Sequence, residues 1–338
     1  MELDKQNIEK KPSHPILDYC VAIRTLGTAG EKYQTLLDSL DRQTLKPQKI
    51  FVYIPYGYEL PKETIGWEEY VRCPKGMITQ RSLPFDEIDT DFILFCDDDL
   101  WFADNFVEDL YLGLQENEGD CIAPDVFRVQ EMSTMGKIKK AIAGYAFPRK
   151  NDGWAFKIMR NASYTYNNNP SKDVLPTESA AGACVLIKKN VYETIHFEDE
   201  RWMEDFGYPL GEDLLFFNKL HIMGYKLLVC YHAGIKHLDA GGSSRSFVLD
   251  SFRKQVALAF VVQYRIKYSL KTNGLCEKLL CGGSVLLRNA EQFSYTFVKH
   301  LVKGKIVFLD YLKGIKDGIK YIRSEHYKSI PPFDAYMK

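Results

Sequence analysis

These 338 residues contain no CxxC pair, no repeat, no low-complexity tract and almost no net charge: 44 Lys and Arg stand against 45 Asp and Glu. Near-neutrality excludes a general nucleic-acid binder, because affinity for phosphate backbones comes mostly from excess cations. No segment reaches the roughly 18 apolar residues that a membrane span needs. The opening "MELDKQNIEKKPSHP" has no apolar h-region, so a cytoplasmic chain is the expectation. In that compartment the sequon Asn161-Ala162-Ser163 is coincidental. The eight scattered cysteines, several inside apolar runs, read as buried reduced thiols.

With 46% hydrophobic residues the chain has enough apolar material for one large domain and an appendage. Short apolar, β-branched runs alternate with helical patterns through its first half. Strands are expected at 19–25, 49–54, 92–96 and 120–124, with helices at Lys32–Arg42 and Asn105–Gln115. Such alternation predicts an α/β fold, a mostly parallel sheet with helices on both faces. Residues 126–178 are turn-rich and read as long loops bordering a site. Apolar patterning returns at 180–189 and in a helix opening at Glu212; from about Phe247 amphipathic helices follow with no further strand signal.

The chemistry concentrates where "FILFCDDDLW" drives a buried-type strand into three adjacent carboxylates. Side chains alternate along an extended chain, so Asp97 and Asp99 are expected on one side, roughly 7 Å apart at Cα, with Asp98 opposite. Two carboxylates at a strand's carboxyl end make half of a divalent-metal site in a place where open α/β sheets bind ligands. A solvated acidic turn would look the same. A second acidic group, Glu212 and Asp213, opens a helix straight after Gly211, and helix dipoles tolerate acids there in any case. Glu204, Asp205 and Trp202 lie just upstream. Two histidines, His232 and His237, follow the strand-like "KLLVC"; imidazole is a common partner for Mn²⁺-type metals. Trp101, Trp154, Trp202, Tyr208 and the tyrosines of "SYTYNNN" lie near these segments and can stack on sugars, though most aromatics are core.

In order along the chain, "VAIRTLGTAGEKYQTLLDSLDRQTLKPQKIFVYI", "GMITQRS", "FILFCDDDL", "GACVLIKKNVYE" and "GEDLLFFNKLHIMGYKL" resemble glycosyltransferase family 2, inverting sugar transferases of the GT-A fold, over about 19–240. The resemblance implies a tail (1–18), a GT-A domain (19–245) and a helical region (246–338); the domain's nucleotide-sugar half spans about 19–125 and its acceptor half about 126–245. It implies Asp213 as catalytic base with Glu212 as fallback, and Asp99 holding Mg²⁺ or Mn²⁺ with Asp97 and His237. Thr25, Arg81, Asp97 and Asp98 would face the nucleotide of a UDP-, dTDP- or GDP-sugar. The expected reaction is sugar transfer to a glycan or lipid-linked acceptor hydroxyl in bacterial surface polysaccharide synthesis. One departure stands out: the second strand runs into "IPYGYE" where the family has an Asp-rich turn that reads the base. A catalytically silent GT-A-like binding module and a nucleotidyltransferase are the alternatives. Finally, Phe308, Leu312, Ile315, Ile319 and Ile322 form an apolar stripe beside Lys313, Lys316, Lys320 and Arg323. Such a helix either packs on the domain or lies on an anionic membrane surface.

Overall fold

The strand-like runs bury nearly every residue, which is why they assemble into one central sheet. The computed structural model describes residues 17–127, 153–238, 248–268, 270, 273–302 and 308–337. Twelve strands occur among them: β1 Tyr19–Arg24, β2 Ile50–Pro55, β3 Glu69–Cys73, β4 Phe92–Asp97, β5 Leu100–Phe102, β6 Cys121–Pro124, β7 Phe156–Ile158, β8 Tyr164–Tyr166, β9 Val174–Pro176, β10 Cys184–Lys188, β11 Leu227–Cys230 and β12 Ile235–His237. Eight form the main sheet in the order β3-β2-β1-β4-β10-β6-β11-β9. β1, β2, β3 and β4 run parallel, as do β6 and β11, while β10 lies antiparallel between β4 and β6.

Two cores flank the sheet. On one face lie α1 (Glu31–Asp41), which buries Tyr33, Leu36, Leu37 and Leu40 at helical spacing, and α3 (Phe106–Glu116). The opposite face is covered by a 3-10 segment, Phe197–Phe206, by α5 (Glu212–Ile222) and by α6 (Leu249–Gln263). Two short helices complete this half: α2 (Met77–Arg81) and α4 (Lys189–Tyr192). Ala257, Leu258, Val261 and Val262 of α6 belong to the same core cluster as the sheet residues Phe95 and Val185.

Beyond α6 come α7 (Leu275–Val302), α8 (Phe308–Ile322) and α9 (Glu325–Ser329). No strand occurs among the described residues after 248. α8 packs on α6 through small residues: a Cβ added at Gly314 would stand 2.7 Å from Cβ of Val256, and one at Gly318 would stand 2.9 Å from Cδ1 of Phe260. The buried positions are therefore Tyr311, Gly314 and Gly318, and Leu312 of the expected stripe is 51% exposed.

Three other expectations are corrected. The described part of 126–178 is not all loop, since β7, β8 and β9 lie in it and β9 closes one edge of the main sheet; strands of three residues are too short to show a period of two. Cys276 is exposed, whereas the other seven free cysteines are buried. Trp202 is core, its indole donating to Glu200 at 2.7 Å, and so is unavailable to stack on a sugar. Asn161 of the sequon is buried, with its Oδ1 accepting from the Ser163 backbone and hydroxyl at 3.1 and 2.7 Å.

Candidate active site

Register builds the site. β1 and β4 are parallel neighbours that place Arg24 beside Asp97 at their carboxyl ends. The Arg24 guanidinium donates to Asp97 Oδ1 at 3.1 Å. Next to it stands Arg81, the last residue of α2, only 12% exposed. Its Nη2 is 3.7 Å from Asp97 Oδ1 and 3.6 Å from Glu212 Oε1, and its Nη1 is 3.2 Å from Asp213 Oδ1. Arg81 thus gathers the two acidic groups that are more than a hundred residues apart in the chain. Its Nη1 also donates to the Gly182 carbonyl at 3.2 Å.

Gly182 precedes β10 and has to be small. A Cβ there would overlap Asp213 Oδ1 and stand 2.7 Å from Arg81 Nη1. The antiparallel approach of β10 brings it in, with the Asp97 backbone N–H donating to Ala183 at 2.8 Å. Asp213 is the more open acid, about a third exposed, while Glu212 is buried. Both sit in the first turn of α5, which starts after Gly211 in the left-handed region (φ 95°).

The electrostatics follow from burial. Glu212 is pushed up to about 7 by desolvation and then by the neighbouring Asp213 charge, against the pull of Arg81. Burial also raises Asp97, even with Arg81 and Arg24 beside it. Arg81 moves the other way: burial would lower it, but Asp213, Asp97 and Glu212 together hold it more firmly cationic than usual.

The triple aspartate divides. The chain leaves β4 at Asp97, so simple alternation stops there and each carboxylate has its own partner. Asp98 accepts from the Thr25 hydroxyl, and burial lifts it up to about 6. Asp99 faces His237, whose Nε2 is 3.1 Å from Oδ1, because β12 pairs with β5 in a two-stranded ribbon next to it. His232 lies elsewhere, 3.9 Å from Asp109. Among the described residues no three metal-ligating side chains form a ready cluster. Asp99 and His237 supply one hard oxygen and one imidazole nitrogen, both partly exposed, a donor pair that fits a divalent ion.

Sequence reasoning missed Arg24 and Gly182. The signals were present: a lone charge ends the otherwise apolar strand "YCVAIR", and small residues cluster in "SAAGAC" just before β10. Glu204 and Asp205, just upstream in sequence, do not line the acid cluster. Glu204 accepts from the backbone of Ile78 and Thr79 at 2.8 and 2.9 Å, and Asp205 accepts from Tyr321 at 2.5 Å.

Comparison with known proteins bears on the fold and on part of the chain. No curated protein sequence matches the chain. Among solved structures, "Crystal structure of GalNAc-T7 with UDP, GalNAc and Mn2+" aligns with a TM-score of 0.50 at 14% identity, covering 84% of this chain and 58% of that one. The chain therefore spans little more than half the length of that neighbour. The likeness is one of fold: a mixed α/β GT-A architecture with a large, mostly parallel sheet and C-terminal helices. The expected resemblance is borne out over residues 69–195, which hold Arg81, Asp97, Asp98 and Asp99 and match the model of Glycosyl transferase family 2.

Proposed function

We propose that the chain is an inverting glycosyltransferase that moves a sugar from a nucleoside-diphosphate donor to an acceptor hydroxyl. The observation that carries this reading is Arg81 bridging Asp97 to Asp213 at the carboxyl ends of β1 and β4, beside the Asp99–His237 pair. Asp213 is the base: it lies 3.2 Å from Arg81, is open on one side, and is able to take the proton of an attacking hydroxyl. Glu212, buried and pulled toward neutrality, is the weaker candidate.

Asp99 and His237 would hold Mg²⁺ or Mn²⁺, which supplies charge neutralisation on the departing diphosphate. Asp97 and Asp98 border the nucleotide; Arg24 and Arg81 fix Asp97, and the Thr25 hydroxyl fixes Asp98. The neighbour's UDP and Mn²⁺ make UDP the first nucleotide to test. Tyr56, 66% exposed just beyond β2, stands where the family has its base-reading acids, so dTDP and GDP belong in the same screen. A glycan or lipid-linked acceptor, of the kind used in surface polysaccharide synthesis, completes the reading.

The test is product analysis with a panel of UDP-, dTDP- and GDP-sugars. Nucleoside diphosphate release with an inverted anomeric centre is the expected result. Pyrophosphate release would identify a nucleotidyltransferase instead, and donor binding without turnover against any acceptor would identify a silent binding module. In the same assay Asp99→Ala and His237→Ala should each weaken Mn²⁺-dependent UDP binding about tenfold or more by calorimetry, while metal-free UDP binding stays near wild type. Unchanged metal dependence in both variants would remove the ion from these residues.

A further inference from the structure

The long helix α7 is inside out. Its contacts with the rest of the chain are largely polar: Arg288 donates to the Asn161 carbonyl at 2.8 Å, Asn289 to Gln263 at 3.0 Å, and Glu277 pairs with Arg160 at 3.0 Å. Its outward face is apolar. Leu275, Leu279, Leu286, Leu287, Val298 and Leu301 are all exposed, Leu275 and Leu286 by 77% and 73%. The charged residues described on α7, Glu277, Lys278, Arg288 and Glu291, are all partly buried, and its most exposed large apolar residues are leucines. At 1.5 Å per residue this face runs about 40 Å, far more apolar surface than a helix leaves in water without a partner.

We infer that α7 lies flat in the headgroup region of an anionic bilayer and docks the protein on a membrane surface. No helix among the described residues is long and apolar enough to cross a membrane, so the contact is with the interface. Charge selects the lipid. At the C-terminal end of α7 Phe297 meets Phe308 with ring centroids 5.8 Å apart, and the exposed side of α8 continues through Leu309 and Leu312 to Lys316, Lys320 and Arg323. The nearby acid Asp317 is engaged by Arg253. An apolar face followed by a cationic band complements acyl chains below anionic phosphates. The place of the helix also bears on substrate. Arg288 holds α7 on the Asn161 carbonyl, in the turn between the paired strands β7 and β8, so α7 rests on the half of the domain expected to take the acceptor. Resting on the transfer reading above, this makes a lipid-linked acceptor the substrate class that the docked enzyme meets.

Co-sedimentation of the full chain with phosphatidylcholine vesicles, and with vesicles also containing phosphatidylglycerol, tests the docking without any assay of transfer. The wild type should bind the anionic vesicles about tenfold better than the neutral ones, and less well as salt rises. Leu279→Gln with Leu286→Gln should lose about tenfold or more of that binding, and Lys316→Glu with Lys320→Glu should lose the preference for anionic lipid. The substituted side chains are exposed, so melting temperatures should stay at the wild-type value and confirm folding. Absence of binding to either vesicle, or undiminished binding by the leucine variant, would overturn the inference. So would a wild-type dimer that ignores vesicles and becomes monomeric in the leucine variant, since a second copy would then cover α7.

Discussion

At the scale of single residues, one guanidinium decides the site. Arg81 touches the acids of two distant segments, so neutralising any one of them changes what it holds. Asp213→Asn keeps the shape of the side chain and removes its basicity. Turnover should fall about 10² or more while the donor dissociation constant moves by less than about threefold. Near-wild-type turnover in that variant would show that Asp213 is not the base. Gly182→Ala probes the same carboxylate from the other side. Because its Cβ would overlap Asp213 Oδ1, turnover should drop about tenfold or more and unfolding free energy by about 1–3 kcal/mol. Glu212 titrates visibly. Its folded pKa of about 7 lies above the ordinary carboxylate value, so the folded state holds the proton more tightly between the two. Stability should therefore decline as pH rises from about 5 to about 8, and Glu212→Gln should flatten the decline in urea unfolding curves. The acids themselves were legible in the sequence as carboxylates at a strand end and a helix start. Their convergence was not, because a cation between two acids leaves no local pattern.

At the scale of elements, the short helix α2 shows what local reading can and cannot reach. Five residues cannot sustain a helix alone, since nucleation costs more than one turn returns. Glu204 from the 3-10 segment holds its start, accepting from the backbone N–H groups of Ile78 and Thr79 and from the Thr79 hydroxyl. Gly76 leaves room for that carboxylate, since a Cβ there would stand 2.5 Å from Glu204 Oε1. At the other end the Tyr192 hydroxyl donates to the Arg81 and Leu83 carbonyls at 2.9 and 2.7 Å. "GMITQRS" could be read as a Gly-to-Arg segment, but its cap lies over a hundred residues downstream and carries no sequence signal. The same limit hid β7, β8 and β9. Removing the cap with Glu204→Ala should cost about 1–2 kcal/mol and loosen Arg81, lowering donor affinity as well as stability. Glu204→Gln, which retains one acceptor oxygen, should recover most of both in calorimetry; equal losses in the two variants would assign the role to charge instead of capping.

At the scale of the whole molecule, the C-terminal helices are fastened to the sheet domain by a buried ion network. Arg265, in the π-helical turn Tyr264–Tyr268 that follows α6, binds Glu200 through two donors at 2.7 and 3.0 Å and donates to the Pro331 carbonyl at 2.7 Å. Lys219 of α5, fully buried, stands 3.5 Å from Glu200 and donates to the His196 carbonyl at 2.8 Å. Three segments, the 3-10 segment, α5 and the π-helical turn after α6, thus share one carboxylate, and Phe333 and Tyr336 pack against Arg265 and Lys219. Lys219 and Arg265 stand in largely apolar helical stretches and Glu200 in the charged run Glu198–Arg201, so helix periodicity finds the elements and says nothing of the pairing. Burial alone would raise Glu200, but Arg265 and then Lys219 overcome it and hold the carboxyl below its ordinary range. Its sign is therefore opposite to that of Glu212: the stabilisation is complete above the unfolded pKa of about 4.5 and is lost as pH falls through the folded value. Arg265→Leu leaves a buried carboxylate short of its main partner and should cost about 3–5 kcal/mol in chemical unfolding. Adding Glu200→Gln removes the stranded charge and should return part of that loss. If the double variant is no more stable than Arg265→Leu alone, the cost arises from lost packing of the arginine on Phe333, and the ion network is not what fastens the two halves together.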